Sequence, residues 1–266
     1  MDYLSANKDH WNKSTETHWT SKMYNVEGWL AGDNSNLKEI ELSLLPEDLN
    51  GKKLLHLQCH FGQDTLSLAR MGAEVTGVDL SDRAIAKANE LAKLAHLSGR
   101  FINCDLYSLP NHLAEDHSFD IVYTTYGTIG WLPDMDKWAA IVARYLKPGG
   151  QFIFAEFHPL VWCLNYERNG FEYSYFNRET IIEESDSSYT DGKKELSTEV
   201  GWNHDLGEVL SALIKQGMIL EQFQEYDFSP WTCFHNLVEV GPSRYQFKGL
   251  EGMVPISYGL RMRKEG

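Results

Sequence analysis

The hydrophobic residues of the chain form short runs that alternate with amphipathic segments, and the clearest example lies near residue 60. Residues 54–57 are mostly apolar, residues 58–62 form a turn, and Asp64 begins a segment with apolar residues at helical spacing. A second apolar run, residues 75–78, ends at Asp79. This order predicts a strand, a loop, a helix and a second strand, which together make one βαβ unit.

The same alternation continues to the C-terminus. Apolar runs predict further strands over residues 100–104, 119–125, 151–157, 219–226 and 253–263. Amphipathic spacing predicts helices over residues 37–45, 82–96 (with Ser81 as N-cap), 136–146 and 206–217. Three segments differ: residues 1–50 indicate an aromatic-rich helical cap, residues 160–203 an inserted antiparallel hairpin with a turn at Asp191 and Gly192, and residues 228–249 a long aromatic loop.

Acidic residues follow two of the predicted strands. Asp79 ends the second strand and Asp105 follows the third. In an open parallel sheet, ligands bind outside the carboxyl ends of the strands, and a carboxylate there can accept hydrogen bonds from both hydroxyls of a ribose. Gly62 allows the backbone to approach a ligand, and the helix that follows favours a negative group at its start. The pattern predicts a site for a nucleoside at this edge.

The first loop distinguishes between nucleoside ligands. A dinucleotide site needs G-x-G-x-x-G, whereas this loop has Gln58 and His60 where the earlier glycines would stand. The sequence HLQCHFGQDTLSLAR, together with WLPD, LKPGG and EFHP downstream, resembles the class I S-adenosylmethionine-dependent methyltransferases, and a bacterial branch of small, largely uncharacterised ones in particular. The typical loop of that class, D-L-G-C-G-x-G, is matched at Leu57, Cys59 and Gly62, and the chain departs from it at His56, Gln58 and His60.

The resemblance implies a fold and a cofactor. The expected fold is a doubly wound, mostly parallel seven-stranded α/β sheet (Rossmann-like) over residues 51–266, with an antiparallel last strand, preceded by the cap. S-adenosyl-L-methionine is the implied cofactor. Asp79 would bind its ribose and Asp105 its adenine amino group, with Leu80 and Leu106 on the two faces of the ring. Further cofactor-binding candidates are Gln58, His60, Gly62 and Thr125, and His60 with Gln63 would meet the methionine carboxylate. For Asp105, a helix cap is the alternative.

Methyl transfer is an in-line displacement, so the protein mainly holds two reactants in line and excludes water. A general base is needed only when the acceptor must lose a proton, and His158 and then His204 are the candidates. Tyr126 can present an aromatic face to the sulfonium. The substrate-binding candidates are His18, Trp19, Tyr24, Trp29 and Trp131. For all of these residues, packing or helix capping is the competing interpretation.

Charge and composition narrow the function further. The net charge of −14 disfavours a reader of nucleic-acid backbones, and no long basic cluster offsets it. The four cysteines show no C-x-x-C spacing, which argues against zinc and disulfides. With neither a signal-like nor a spanning segment, we expect a cytoplasmic enzyme acting on a small-molecule acceptor. Two alternatives are a non-catalytic module on the same fold, in which β-carbons at Gln58 and His60 narrow the groove, and an NAD-linked oxidoreductase.

Overall fold

The computed structural model describes residues 2–32, 36–190 and 192–266; Asp191, expected in a turn, lies outside them. The α-helices are α1 Tyr3–Trp19, α2 Val26–Ala31, α3 Glu39–Leu44, α4 Gln63–Arg70, α5 Asp82–Leu94, α6 Met135–Tyr145 and α7 Leu206–Lys215. The strands are β1 Lys53–Leu57, β2 Glu74–Asp79, β3 Arg100–Asn103, β4 Phe119–Thr125, β5 Leu146–Phe157, β6 Ile181–Ser187, β7 Lys193–Gly201, β8 Met218–Tyr226, β9 Leu237–Gly241, β10 Arg244–Phe247 and β11 Ser257–Lys264. Short 3₁₀ helices cover Leu106–Asn111, Ile129–Trp131 and Pro159–Cys163.

Seven strands form one sheet in the order β3-β2-β1-β4-β5-β11-β8. The strands from β3 to β5 pair in parallel, and β11 pairs antiparallel with both β5 and β8. This confirms the predicted doubly wound sheet with an antiparallel last strand. The order reverses between β1 and β4, so their carboxyl ends open at the switch point where α/β sheets bind ligands.

The central strands β1, β2 and β4 are buried on both faces, which explains why they are continuous apolar runs rather than alternating ones. On one face, Leu55 and Leu57 of β1 belong to the same core as Trp138 of α6. On the other face, Leu54 belongs to a core with Leu44 of α3. Neighbouring residues of one strand therefore anchor helices on opposite sides.

Three sequence predictions need correction in detail. Residues 228–249 are not one aromatic loop, because β9 and β10 form an antiparallel hairpin within them. The predicted insertion is a hairpin only over β6 and β7. Strand β5 begins at Leu146, so the LKPGG turn belongs to the strand, beside a register shift against β4. Local turn signals did not show which irregular segments would find a pairing partner.

Helix α1 lies against β7 and thus joins the N-terminal cap to the inserted hairpin. The side chain of Asn7 donates to Val200 O at 2.8 Å and accepts from Val200 N at 2.9 Å. The ammonium of Lys194, almost fully buried, lies 3.0 Å from both His10 Nδ1 and Ser197 Oγ. Within the described ranges, no helix is both long and apolar enough to cross a membrane.

Candidate active site

The carboxyl ends of β1, β2, β4 and β5 open into a cavity of about 540 Å³ that the cap, the β6–β7 hairpin and residues 159–173 also line. This volume is in the range usual for small-molecule sites. Of the sequence-predicted site residues, most line this cavity: Tyr24, Gln58, His60, Gly62, Asp79, Leu80, Asp105, Leu106, Thr125, Tyr126, Trp131 and His204.

The first loop has the backbone of a glycine loop although it contains only one glycine. Gln58, His60 and Gly62 have φ angles of +55°, +51° and +73°, all in the left-handed region. At Gly62, an added β-carbon would also approach the ring of Phe101 to 2.6 Å, so this position requires glycine on both counts. The loop therefore keeps its shape despite the departures from D-L-G-C-G-x-G.

Asp79 is held by the loops on either side of it. Its Oδ2 accepts from the His60 N–H and its Oδ1 from the Ser81 N–H, both at 2.8 Å. Each oxygen keeps a lone pair for a ligand, since a carboxylate oxygen can accept two hydrogen bonds. Burial raises the pKa of Asp79 to about 6, and the backbone donors oppose that rise. The carboxylate is thus oriented and poorly hydrated before any ligand arrives.

Asp105 and Leu106 follow β3 at the same cavity wall. Asp105 Oδ2 accepts from the Ser108 N–H at 3.0 Å and so caps the 3₁₀ helix that begins at Leu106. The capping interpretation therefore holds, and the side chain also faces the cavity. Burial raises the pKa of Asp105, with its backbone donors acting in the opposite direction.

The loop after β4 carries Tyr126 and Trp131. The Tyr126 hydroxyl donates to Glu41 Oε2 of α3 at 2.8 Å, and burial raises the pKa of this tyrosine. Trp131 Nε1 donates to Gly127 O at 2.8 Å, and its ring contacts Trp11 at 5.2 Å between centroids. The polar ends of both side chains are thus bonded within the protein, and both residues line the cavity.

Glu156, near the end of β5, fixes this loop and was not singled out from the sequence. Its carboxylate accepts from the backbone N–H groups of Gly127, Thr128 and Ile129 and from its own neighbour Phe157. Burial raises the pKa of Glu156, and these four donors work against the rise. A glutamate ending an otherwise apolar strand was the signal available in the sequence.

The two histidines expected to act as general bases have other partners. His158 does not line the cavity, contrary to expectation: its Nδ1 accepts from the Leu160 N–H at 3.1 Å, and its Nε2 lies 2.9 Å from Glu225 Oε1. His204 lines the cavity, but Nε2 donates to Leu132 O at 2.8 Å and Nδ1 lies 3.1 Å from Glu208 Oε2. His158 thus lies outside the cavity and both ring nitrogens of His204 have partners, so the role of either histidine as a general base stays a prediction.

Three cap residues that were expected to contact the substrate do not line the cavity. Trp29 is fully buried, donates to Ser67 Oγ at 2.9 Å and stacks under Arg70. Trp19 packs on Phe61. His18 contacts His60 Nε2 through Nδ1 at 2.9 Å, and burial lowers its pKa to about 3. His18 is therefore a neutral imidazole that supports the loop residue His60. Gln63 is also occupied, between Asn36 and the carbonyl of Tyr24.

Comparisons with known proteins agree with this architecture. Residues 54–150 match the family model described as a methyltransferase domain. Among curated proteins, an uncharacterized protein of Haemophilus influenzae is 36% identical over 132 residues, covering 47% of this chain and 50% of that protein. The ubiquinone biosynthesis O-methyltransferase of Thiobacillus denitrificans is 36% identical over 110 residues, covering 40% of this chain and 45% of that enzyme. The chain thus spans about half the length of these relatives.

Solved structures share the fold over a larger part of the chain. The geranyl diphosphate C-methyltransferase of Streptomyces coelicolor A3(2) superposes with a TM-score of 0.62 at 12% identity, covering 99% of this chain and 98% of that one. An S-adenosylmethionine-dependent methyltransferase of Mesorhizobium loti gives 0.60 at 22% identity, covering 84% and 95%. Residues 54–150 thus match a methyltransferase domain, and the matched range includes the first loop, Asp79, Asp105 and Tyr126.

Proposed function

We propose that this protein transfers the methyl group of S-adenosylmethionine to a small-molecule acceptor. The observation that carries the proposal is the first loop: three left-handed residues, Gln58, His60 and Gly62, with Asp79 fixed opposite them by the His60 N–H. This arrangement leaves the groove open at a strand end and provides two oriented carboxylate oxygens for a ribose.

The remaining residues fit an adenosyl group. Asp105 would accept from the adenine amino group, with Leu80 and Leu106 against the ring faces and Thr125 at the end of β4. The cofactor supplies an electrophilic methyl group on a positively charged sulfur. The chain's own part is to hold the acceptor in line, to exclude water with the cap and hairpin, and to present the aromatic faces of Tyr126 and Trp131 to positive charge.

A small acceptor fits the enclosed cavity and the acidic composition better than a polyanion does. The geranyl diphosphate methyltransferase that shares the fold also acts on a small molecule, as its name states. No observation favours the non-catalytic alternative, whose one support was a groove narrowed by β-carbons, because the cavity that Gln58 and His60 line still has a volume of about 540 Å³.

Calorimetric titration tests the cofactor assignment directly. We expect S-adenosylmethionine and S-adenosylhomocysteine to bind and NAD not to bind. In Asp79→Ala, the affinity for S-adenosylhomocysteine should fall at least about tenfold, since hydrogen bonds from both ribose hydroxyls to a charged group are lost.

The matched control is Asp82→Ala, one turn further along the chain and outside the cavity, which should bind normally. Unchanged affinity in both Asp79→Ala and Asp105→Ala would contradict the proposal, and so would silence for both S-adenosyl ligands in the wild type.

A further inference from the structure

The cavity has a strongly uneven distribution of charge. Six carboxylates line it, namely Asp64, Asp79, Asp105, Glu156, Glu183 and Glu199. Among the described residues lining the cavity, Arg168 is the only lysine or arginine. A single permanent cation in such a wall calls for an explanation, because desolvating a guanidinium is costly without a compensating anion.

Arg168 has no carboxylate partner among the described residues. Its Nη1 donates to the carbonyls of Val161 and Leu164 at 3.0 and 3.3 Å, and its buried Nε has no hydrogen-bond acceptor. Burial lowers the pKa of Arg168, and Glu172 counteracts this only through a longer-range charge effect. The two carbonyls therefore hold the side chain in place without neutralising its charge.

Aromatic rings fix the guanidinium and connect it to the expected point of transfer. Its Cζ lies 5.3 Å from the centre of the Phe234 ring and 5.7 Å from that of Phe247. Phe234 contacts Phe157 at 4.7 Å, and Phe157 contacts Tyr126 at 5.3 Å between ring centres. An apolar path thus leads from the end of β4 to Arg168.

Arg168 lies on the side of the cavity away from the proposed adenosyl site. It is held by the segment after β5, whereas Asp79 ends β2, and β1 and β4 lie between those strands. Strands β2 and β5 are three strand spacings apart, which corresponds to about 14 Å. The cation is therefore placed on the acceptor side.

We propose that the acceptor carries an anionic group, a carboxylate or a phosphate, that Arg168 binds, with an apolar body lying along Phe234 and Phe157. This rests on the proposed methyltransferase function and narrows its substrate class. The planar guanidinium suits either anion, since it can donate two parallel hydrogen bonds to adjacent oxygens.

Three probes of one shape test the inference on the full chain saturated with S-adenosylhomocysteine: phenylacetate, phenyl phosphate and the uncharged phenylacetamide. Binding is measured by calorimetry and by ligand-observed NMR, which detects millimolar affinities. We expect at least one anionic probe to bind at least about tenfold more tightly than the amide, the effect of one charge-assisted hydrogen bond. The preferred anion distinguishes a carboxylate site from a phosphate site.

Substitutions assign that preference to Arg168. Arg168→Gln should abolish it, and Arg168→Lys should retain part of it, since the charge remains and the fork is lost. Arg244→Gln is the matched control: this arginine also stacks on a phenylalanine, Phe228, but it pairs with Glu39 outside the cavity. If circular dichroism shows that Arg168→Gln does not fold, the comparison of anionic and uncharged probes on the wild type still tests whether the cavity binds an anion.

Equal binding of anion and amide, no detectable anion binding at millimolar concentration, or a preference that survives Arg168→Gln would each overturn the inference. Loss of S-adenosylhomocysteine affinity in Arg168→Gln would overturn it too, because Arg168 would then serve the cofactor. These outcomes leave the proposed function standing, which fails only if the wild type does not bind S-adenosyl ligands.

Discussion

At the scale of single residues, the first loop shows how tertiary hydrogen bonds hold an unfavourable backbone. Left-handed φ angles at Gln58 and His60 are costly for residues with a β-carbon. The bonds from Cys59 N to Val78 O, from His60 N to Asp79 and from Gly62 N to Cys59 O keep the loop in that conformation. Gln58 adds a hydrogen bond from Nε2 to Thr128 O at 2.9 Å.

A pair of substitutions at position 58 tests this explanation. Gln58→Gly should change the free energy of unfolding by less than about 1 kcal/mol, because relief of strain offsets the greater entropy of the unfolded chain. Like the glycine variant, Gln58→Val loses the side-chain hydrogen bond to Thr128 O, but it also places a β-branched residue in the left-handed region. Urea unfolding should show the valine variant about 2 kcal/mol or more less stable than the glycine variant.

Equal stability of the glycine and valine variants would show that the loop can leave the left-handed conformation at little cost. In that case, the first loop would not be a preformed groove, and the geometric support for the cofactor site would be lost.

At the scale of elements, part of the cavity wall depends on hydrogen bonds between strand β5 and the loop that follows strand β4. Glu156 of β5 accepts from the backbone of residues 127–129, which follow β4. The parallel pairing of β4 with β5 brings these elements together. The two strands therefore position Tyr126 and Trp131 as a unit.

Glu156→Gln should weaken that unit. An amide has one accepting oxygen, and its NH₂ would face backbone donors, so we expect a loss of about 2–4 kcal/mol in the free energy of unfolding. Calorimetry should also show weaker binding of S-adenosylhomocysteine. Glu225→Gln, at a half-exposed glutamate on β8, is the control and should cost less than about 1 kcal/mol. Wild-type stability in Glu156→Gln would contradict the role assigned to this carboxylate.

At the scale of the whole molecule, the fold places several carboxylates in the wall of the cavity, where burial removes them from water. Asp64 is the clearest example. Burial, and then the nearby Glu41, raise the pKa of Asp64 from 3.8 to about 7. The folded protein thus binds this proton more tightly than the unfolded chain does. As the pH rises from about 4 to about 7, the unfolded chain ionises first, and the contribution of Asp64 to stability falls.

Asp64→Asn should therefore be more stable than the wild type at about pH 8, by about 1–2 kcal/mol after allowance for the partial exposure of Asp64 to the cavity. The difference should shrink as the pH falls through that window and vanish near pH 4. Urea unfolding of both proteins at several pH values measures it, and effects of other groups cancel in the comparison.

Asp116→Asn provides a control of opposite sign. The hydrogen bond from Arg144 lowers the pKa of this exposed carboxyl, so its removal should not stabilise the protein at any pH. A constant difference between Asp64→Asn and the wild type across pH would show that Asp64 does not titrate as described.

Local pattern was sufficient for the sheet and for the residues at its strand ends. Apolar runs predicted the central strands because both faces of those strands are buried. Where each run stops, the strand ends, which placed Asp79 and Thr125 at strand ends and Asp105 two residues after β3. The same pattern did not predict which partners the side chains beyond the strand ends would contact. His158 was expected at the acceptor side, yet its partners are Leu160 and Glu225, the latter far away in sequence.

The sequence by itself determined the order of the strands in the main sheet and of the helices between them, the position of the glycine-poor loop and the place of its facing carboxylate, because these depend on spacing between near neighbours. Only the tertiary structure decided that Gln58 and His60 adopt a glycine-like backbone, that Trp29 packs outside the cavity, and that Arg168 lines it. These outcomes depend on contacts between segments distant in sequence, whose energies no local pattern contains.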